Sequence, residues 1–214
     1  MLILLAIFLI LAFFLIYRFG FSVGALTLIA IIILSSLFYF KRYNPDIWAK
    51  LNKPMYSAHK VGEKELALKI AKGLFFISDF TFSKTDIRRV EAIHHIGWLN
   101  WDLKKDKEAE KYLNMSLELY KEILLENKER SDKVIPPGVH GLGNEYYLLA
   151  VIYKNRGNLD KAIEATEKAK KYFEKEEPKY IWYRKDITNY LAKLYYEKGR
   201  RTESRSLYLE AKRL

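Results

Sequence analysis

The chain has 214 residues, enough for one modest domain and a further segment but not for two full globular domains. It contains no cysteine, which excludes disulfides, zinc–thiolate sites and thiol catalysis. The formal net charge is +11, and it is unevenly spread: of 37 Lys and Arg only Arg18 precedes residue 41, and all 26 Asp and Glu lie beyond residue 40.

Residues 1–16 are apolar throughout. As a helix they reach roughly 24 Å at about 1.5 Å per residue, short of a hydrocarbon core of about 30 Å. The second apolar run, residues 21–40, is long enough to span unaided. Between them, Tyr17-Arg18-Phe19-Gly20 combines a cation and aromatics, as a lipid–water interface favours, with a glycine for a turn. The pattern predicts a transmembrane helical hairpin in residues 1–43, with spans at about 2–17 and 21–40. A cleaved signal peptide and a re-entrant first run are the competing readings. The former lacks a basic leader and a small-residue cleavage site. Arg18, Lys41, Arg42 and Trp48 are the predicted interface residues, with basic side chains drawn to anionic headgroups. Lys41, Arg42, Lys50, Lys53 and Lys60 cluster after the second span, so the positive-inside bias predicts an integral membrane protein with its C-terminal domain in the cytoplasm.

Asn44-Pro45-Asp46 is a helix start: a capping Asn, Pro in the first turn and an acid at the positive end. Residues 44–62 are therefore predicted to form a juxtamembrane helix and linker, ended or kinked by Pro54. Trp48 sits at headgroup level in this reading, or packs on the following domain.

From residue 63 onward the sequence repeats itself. Leu149-Ala150, Tyr153, Gly157, Ala162 and Ala169 recur as Leu191-Ala192, Tyr195, Gly199, Ser204 and Ala211, and more faintly as Ile96-Gly97, Ala109, Leu113 and Ser116. The small residues of the paired helices are 12 apart in each copy. Two helices cross closely only where both present small side chains, and a fixed short turn fixes the number of residues between those positions. Gly157 and Gly199 supply a backbone that tolerates the left-handed region at a helix end.

These residues resemble the tetratricopeptide repeat family, best from about Asn144 to Lys175 and with three helix pairs from about Ile87 to the C-terminus. In the first copy Asn100 replaces an aromatic and Lys104 replaces the turn glycine. The resemblance implies an all-α fold: the transmembrane hairpin followed by a solenoid of three to four helix pairs in residues 63–214. Family members repeat about every 34 residues, but Gly97 to Ala150 is 53 and Ala150 to Ala192 is 42. Residues 135–143 read as a Gly/Pro loop, and Pro178 marks a second insertion. Residues 63–77 look like the second helix of a degraded fourth copy, whose first helix Pro54 puts in doubt. The last helix, residues 202–214, has no capping helix after it, which suggests that a partner, a second copy (a homo-oligomer) or the membrane covers that end.

No catalytic or metal constellation stands out. His94 and His95 are adjacent, so on a helix they point about 100° apart and do not readily share a ligand set. The glycines at 138–143 lack the Lys-Ser/Thr of a phosphate loop and a preceding strand. No cofactor and no nucleic-acid partner is expected, since no basic stripe with stacking aromatics is present. In the family, the first helix of each pair lines a concave surface. The resemblance therefore places Glu91, His94, Trp98, Trp101 and Asp102 in a partner-binding groove. It adds Asn144, Tyr147, Val151, Lys154 and Asn155, then Asp186, Asn189, Lys193, Tyr196 and Glu197. Trp and Tyr among mixed charges suit peptide binding, though either Trp could be core. The expected function is a membrane-anchored scaffold or adaptor binding a protein or peptide, the alternative an accessory or assembly subunit of a membrane complex.

Overall fold

Eight α-helices are defined in residues 45–130, 139–174 and 181–214, the parts of the chain that the computed structural model describes. They are α1 (Pro45–Lys60), α2 (Lys64–Thr81), α3 (Ile87–Asp102), α4 (Asp106–Arg130), α5 (Val139–Asn155), α6 (Leu159–Phe173), α7 (Ile181–Glu197) and α8 (Arg201–Arg213). No strand occurs among the described residues.

The helices pair through four turns built alike. Gly62, Lys104, Gly157 and Gly199 have φ of 86°, 61°, 76° and 82°. In each turn this residue's N–H donates to the carbonyl three positions back (His59, Trp101, Lys154 and Tyr196). The next N–H donates to the carbonyl five positions back (Ala58, Asn100, Tyr153 and Tyr195). The left-handed residue turns the chain while these bonds satisfy the carbonyls that end the helix. Lys104 adopts that backbone without being glycine, a cost of about 1 kcal/mol that the surrounding repeat imposes. Its ammonium group lies 5.7 Å from the Trp101 ring centre.

Counting from those turns puts every pair in one register. Seven residues before the turn stand Met55, Gly97, Ala150 and Ala192; five after it stand Ala67, Ala109, Ala162 and Ser204, and all eight are buried. A Cβ on Gly97 would come within 3.2 Å of the Leu113 backbone nitrogen, so α3 rides almost on the main chain of α4. Within the pairs α3–α4, α5–α6 and α7–α8 the helices pack closely, and successive pairs stack through α2–α3, α4–α5 and α6–α7. The main core joins Val90 and Ile93 of α3, Leu113, Leu117 and Tyr120 of α4, and Leu142, Leu149 and Ile152 of α5. Cations at the turns reach back to acids of the preceding pair, as Lys105 to Glu65 (2.8 Å) and Arg156 to Glu110 (2.5 Å). Such partly exposed pairs contribute under about 1 kcal/mol each.

Several expectations are corrected. The chain divides into two units, 1–49 and 50–214, and residues 50–60 of α1 fall in the second. Pro54 neither ends nor replaces α1; it is exposed, and the bond its ring nitrogen cannot donate is lost on the water side. The Gly-rich segment expected as a loop is helical from Val139 onward, and 135–138 lie outside the described residues. Gly141 and Gly143 are there for space: a Cβ would come within 2.2 Å of Tyr120 and 2.4 Å of Phe173, respectively. Part of the first insertion is taken up by α4, which runs for 25 residues.

The expectation of an integral membrane protein with a cytoplasmic repeat domain is also corrected: no described helix is long and apolar enough to cross a membrane. Charged residues interrupt the apolar positions in each of the described helices. The spans placed at 2–17 and 21–40, with Arg18, Lys41 and Arg42, lie outside the described residues. Trp48, named among the expected interface residues, is 4% exposed.

Candidate functional site

The odd-numbered helices share one face, along which side chains at fixed positions before each turn form a ladder. Ten residues before the turn stand Asn52, His94, Tyr147 and Asn189; six before it stand Tyr56, Trp98, Val151 and Lys193. Ladder neighbours touch. The Tyr56 and Trp98 ring centres are 6.4 Å apart, and His59 lies 4.6 Å from Trp98. Tyr147 meets Tyr190 edge-on at 5.4 Å, and Lys154 pairs with Glu197 at 2.7 Å.

At the α1–α3–α5 end this face opens into a pocket of about 270 Å³ lined by Tyr56, His94, His95, Trp98, Asn144, Tyr147 and Leu148. Beneath it lies a charge. Glu145 is fully buried, its carboxylate 2.7 Å from His94 Nδ1 and accepting a short hydrogen bond from Ser116 Oγ. Burial disfavours a charged imidazole, but the charge of Glu145, its hydrogen bond and the charge of Glu91 outweigh it, so the His94 pKa is raised. The His94–Glu145 pair spans α3 and α5, and the carboxylate favours the charged form of the imidazole. Its neighbour behaves oppositely: burial first, then the adjacent His94 charge, pushes His95 down to about 3. His95 is therefore neutral, and its Nε2 sits 2.8 Å from the Tyr56 hydroxyl, tying α1 to α3. A phenol is the better donor of this pair and a neutral imidazole the better acceptor, so Tyr56 donates.

The predicted groove residues separate into groups. His94, Trp98, Asn144 and Tyr147 line one pocket. Asp102 instead bridges His59 and Lys64, both at 2.9 Å; burial alone would raise its pKa, but these two partners lower it. Trp101 packs against the main core. Lys154 is committed to Glu197, and Asn155 is exposed. On α7, Asp186, Lys193, Tyr196 and Glu197 are exposed and Asn189 is half-buried. Among the described residues no group of three or more His, Asp or Glu is placed to hold a metal ion.

The tetratricopeptide repeat family matches residues 90–123 and 146–175. The chain carries tetratricopeptide repeats. No curated protein matches it significantly in sequence. Among solved structures, BtubC from P. vanneervenii aligns with TM-score 0.64 and 17% identity, over 84% of this chain and 68% of that one. A Podosopora anserina putative kinesin light chain with TPR-like repeats aligns with TM-score 0.55 and 16% identity, over 88% and 86%. MamA aligns with TM-score 0.52 and 22% identity, over 78% and 72%. At these identities the likeness is one of fold.

The two matched tetratricopeptide segments fall on α3–α4 and α5–α6. The flanking pairs continue the same turn register, so Tyr56, which lines the pocket, and His59, which lies against Trp98, stand on a face that the sequence reading missed. The signal was present: Gly62 stands seven after Met55 and five before Ala67, the spacing of the other turns. It was masked because the position before the turn holds Met instead of Gly or Ala, and because Pro54 argued against a helix. Glu145 was missed for a different reason: nothing in the sequence separates it from the exposed glutamates on other helices.

Proposed function

We propose that this chain is a protein-interaction scaffold whose odd-numbered helices receive a segment of a partner protein. The anchor is the pocket at Tyr56, His94, Trp98, Asn144 and Tyr147; Lys154, Asp186, Asn189, Lys193 and Tyr196 continue the surface toward the C-terminus. The observation that carries this reading is the convergence of side chains from three successive first helices on one aromatic-walled pocket over a buried ion pair. A fully buried carboxylate is a costly choice where an apolar residue would pack, and it is retained most intelligibly where it holds a neighbour in one charge state. Here Glu145 favours the charged form of His94 and holds its ring, giving the pocket a hydrogen-bond donor beside aromatic surface. That combination suits a backbone carbonyl next to an apolar or aromatic side chain, the common currency of peptide grooves. The role proposed for the pocket is binding, with Glu145 sealed beneath His94 as a positioning group.

A photo-crosslinking amino acid placed at Asn144 in the full chain tests this. The expected result is a defined partner peptide captured from Asn144 but not from Lys171 on the opposite face, with capture reduced at least about tenfold by Trp98→Ala. Equal capture from both positions, or capture indifferent to Trp98→Ala in a chain with unchanged helical circular dichroism, would contradict the groove.

A further inference from the structure

We infer that α2 is the contact face between two copies of this chain, lying antiparallel about a two-fold axis at Gly73. The repeat supplies its own control. Four residues after the turn α2 has Leu66, where the other second helices have Glu108, Lys161 and Glu203. Fourteen after it α2 has Phe76, against Glu118, Lys171 and Arg213; eighteen after it, Phe80 against Glu122. These positions face water in the array, and only α2 fills them with large apolar side chains. Phe76 is 72% exposed, Phe80 51%, Leu66 46% and the neighbouring Ile77 37%. Together they leave on the order of 400–500 Å² of apolar surface on one helix, at or above what a monomer ordinarily shows.

The pattern selects a second copy as the occupant because it is self-complementary. An isologous interface requires the same patch to match itself after a half-turn. Leu66 lies seven residues before Gly73 and Phe80 seven after; Ile70 lies three before and Phe76 three after. An antiparallel α2 from a second chain therefore sets Leu66 against Phe80 and Ile70 against Phe76, in both directions. Gly73 sits at the crossing point, exposed, with nothing within 4 Å of where its Cβ would be. The other pairs carry Met115, Lys168 and Glu210 there. A mid-helix glycine without an internal packing reason is explained by close approach of another backbone. Charge is compatible: Glu65 and Asp79 are already paired with Lys105 and Arg89. Lys69 falls between the partner's two phenylalanines, where its stem and ammonium meet aromatic surface. Doubling the patch brings the buried apolar area to about 900 Å², which with its rim reaches the lower edge of specific interfaces.

The cysteine-free sequence makes this testable in the full chain. Under mild oxidation Gly73→Cys should form a disulfide-linked dimer, since two Cα atoms at such a crossing fall within roughly the 4.4–6.8 Å that a disulfide spans. Lys168→Cys, at the same register position on α6, should not. A mixture of Leu66→Cys and Phe80→Cys chains should form mixed dimers at least about tenfold faster than either alone. Phe76→Glu, at an exposed position that leaves the helices intact by circular dichroism, should suppress the Gly73→Cys dimer. Cross-linking at Gly73→Cys no faster than at Lys168→Cys overturns the inference. So does equal cross-linking of Leu66→Cys with itself, insensitivity to Phe76→Glu, or preferential cross-linking through Leu209→Cys on α8.

Discussion

The position twelve residues before the turn is occupied by Glu145 on α5 and by Ile187 on α7, and both side chains are buried. One backbone, one register and nearly one degree of burial thus hold an ion-paired carboxylate in the third repeat and an aliphatic contact with Ala169 and Phe173 in the fourth. The repeat geometry fixes where side chains go and leaves open what they are. Stability can be built anywhere in the array, whereas a site is built where the content departs from the apolar default.

The sharpest break of that comparison is Glu145→Ala against Ile187→Val. Removing the carboxylate leaves His94 and Ser116 facing a gap and should cost about 3–5 kcal/mol. Ile187→Val should cost about 1 kcal/mol, and chemical denaturation of both variants measures the contrast. Next in size is a pH effect that divides the two histidines. His95 has a depressed folded pKa of about 3, so the unfolded chain binds the extra proton between pH 6.5 and 3. Stability should fall on acidification through that window by several kcal/mol, on the order of 4, and His95→Gln should flatten the slope. His94 has a raised folded pKa, so its contribution is complete below 6.5 and is lost as pH rises through the folded value. Imidazole proton shifts recorded against pH should show midpoints displaced to opposite sides of 6.5, His94 above and His95 below.

A smaller effect tests the glycine slots. Gly141→Ala drives a methyl into the buried Tyr120 ring and should cost about 1–3 kcal/mol. Gly157→Ala meets nothing in space and should lose only about 1 kcal/mol, from its left-handed backbone. The smallest change is a gain. Lys104→Gly relieves that strain at the second turn and should raise stability by under about 1 kcal/mol, net of the lost Trp101 contact.

How much of this could be read from the sequence follows from which features are periodic. The turns at Gly157 and Gly199 and the small residues around them were legible because they recur, and Lys104 was recognised as a turn glycine's substitute from its position alone. The groove face followed from the family's habit, and His94, Trp98, Asn144 and Tyr147 do converge. The first helix was misjudged because Pro54 was weighed as a local breaker, whereas its exposed position lets water satisfy the freed carbonyl. Gly141 and Gly143 of α5 were read as part of a loop because composition cannot say that Tyr120 and Phe173 occupy the space above them. The apolar run before residue 41 led to a membrane assignment that no described helix supports. The pairing of Glu145 with His94 links positions 51 apart, and no local pattern encodes it.

The central claim is that residues 50–60 of α1 belong to the array and complete the pocket through Tyr56. Amide hydrogen exchange over residues 50–60, in the full chain and in Trp98→Ala, tests it most directly. In an array stabilised by nearest neighbours, residues 50–60 should be protected comparably to α3. They should lose at least about tenfold of that protection in Trp98→Ala while α7 and α8 keep theirs. Exchange of residues 50–60 at the rate of unstructured chain, or protection indifferent to Trp98→Ala, would contradict the account.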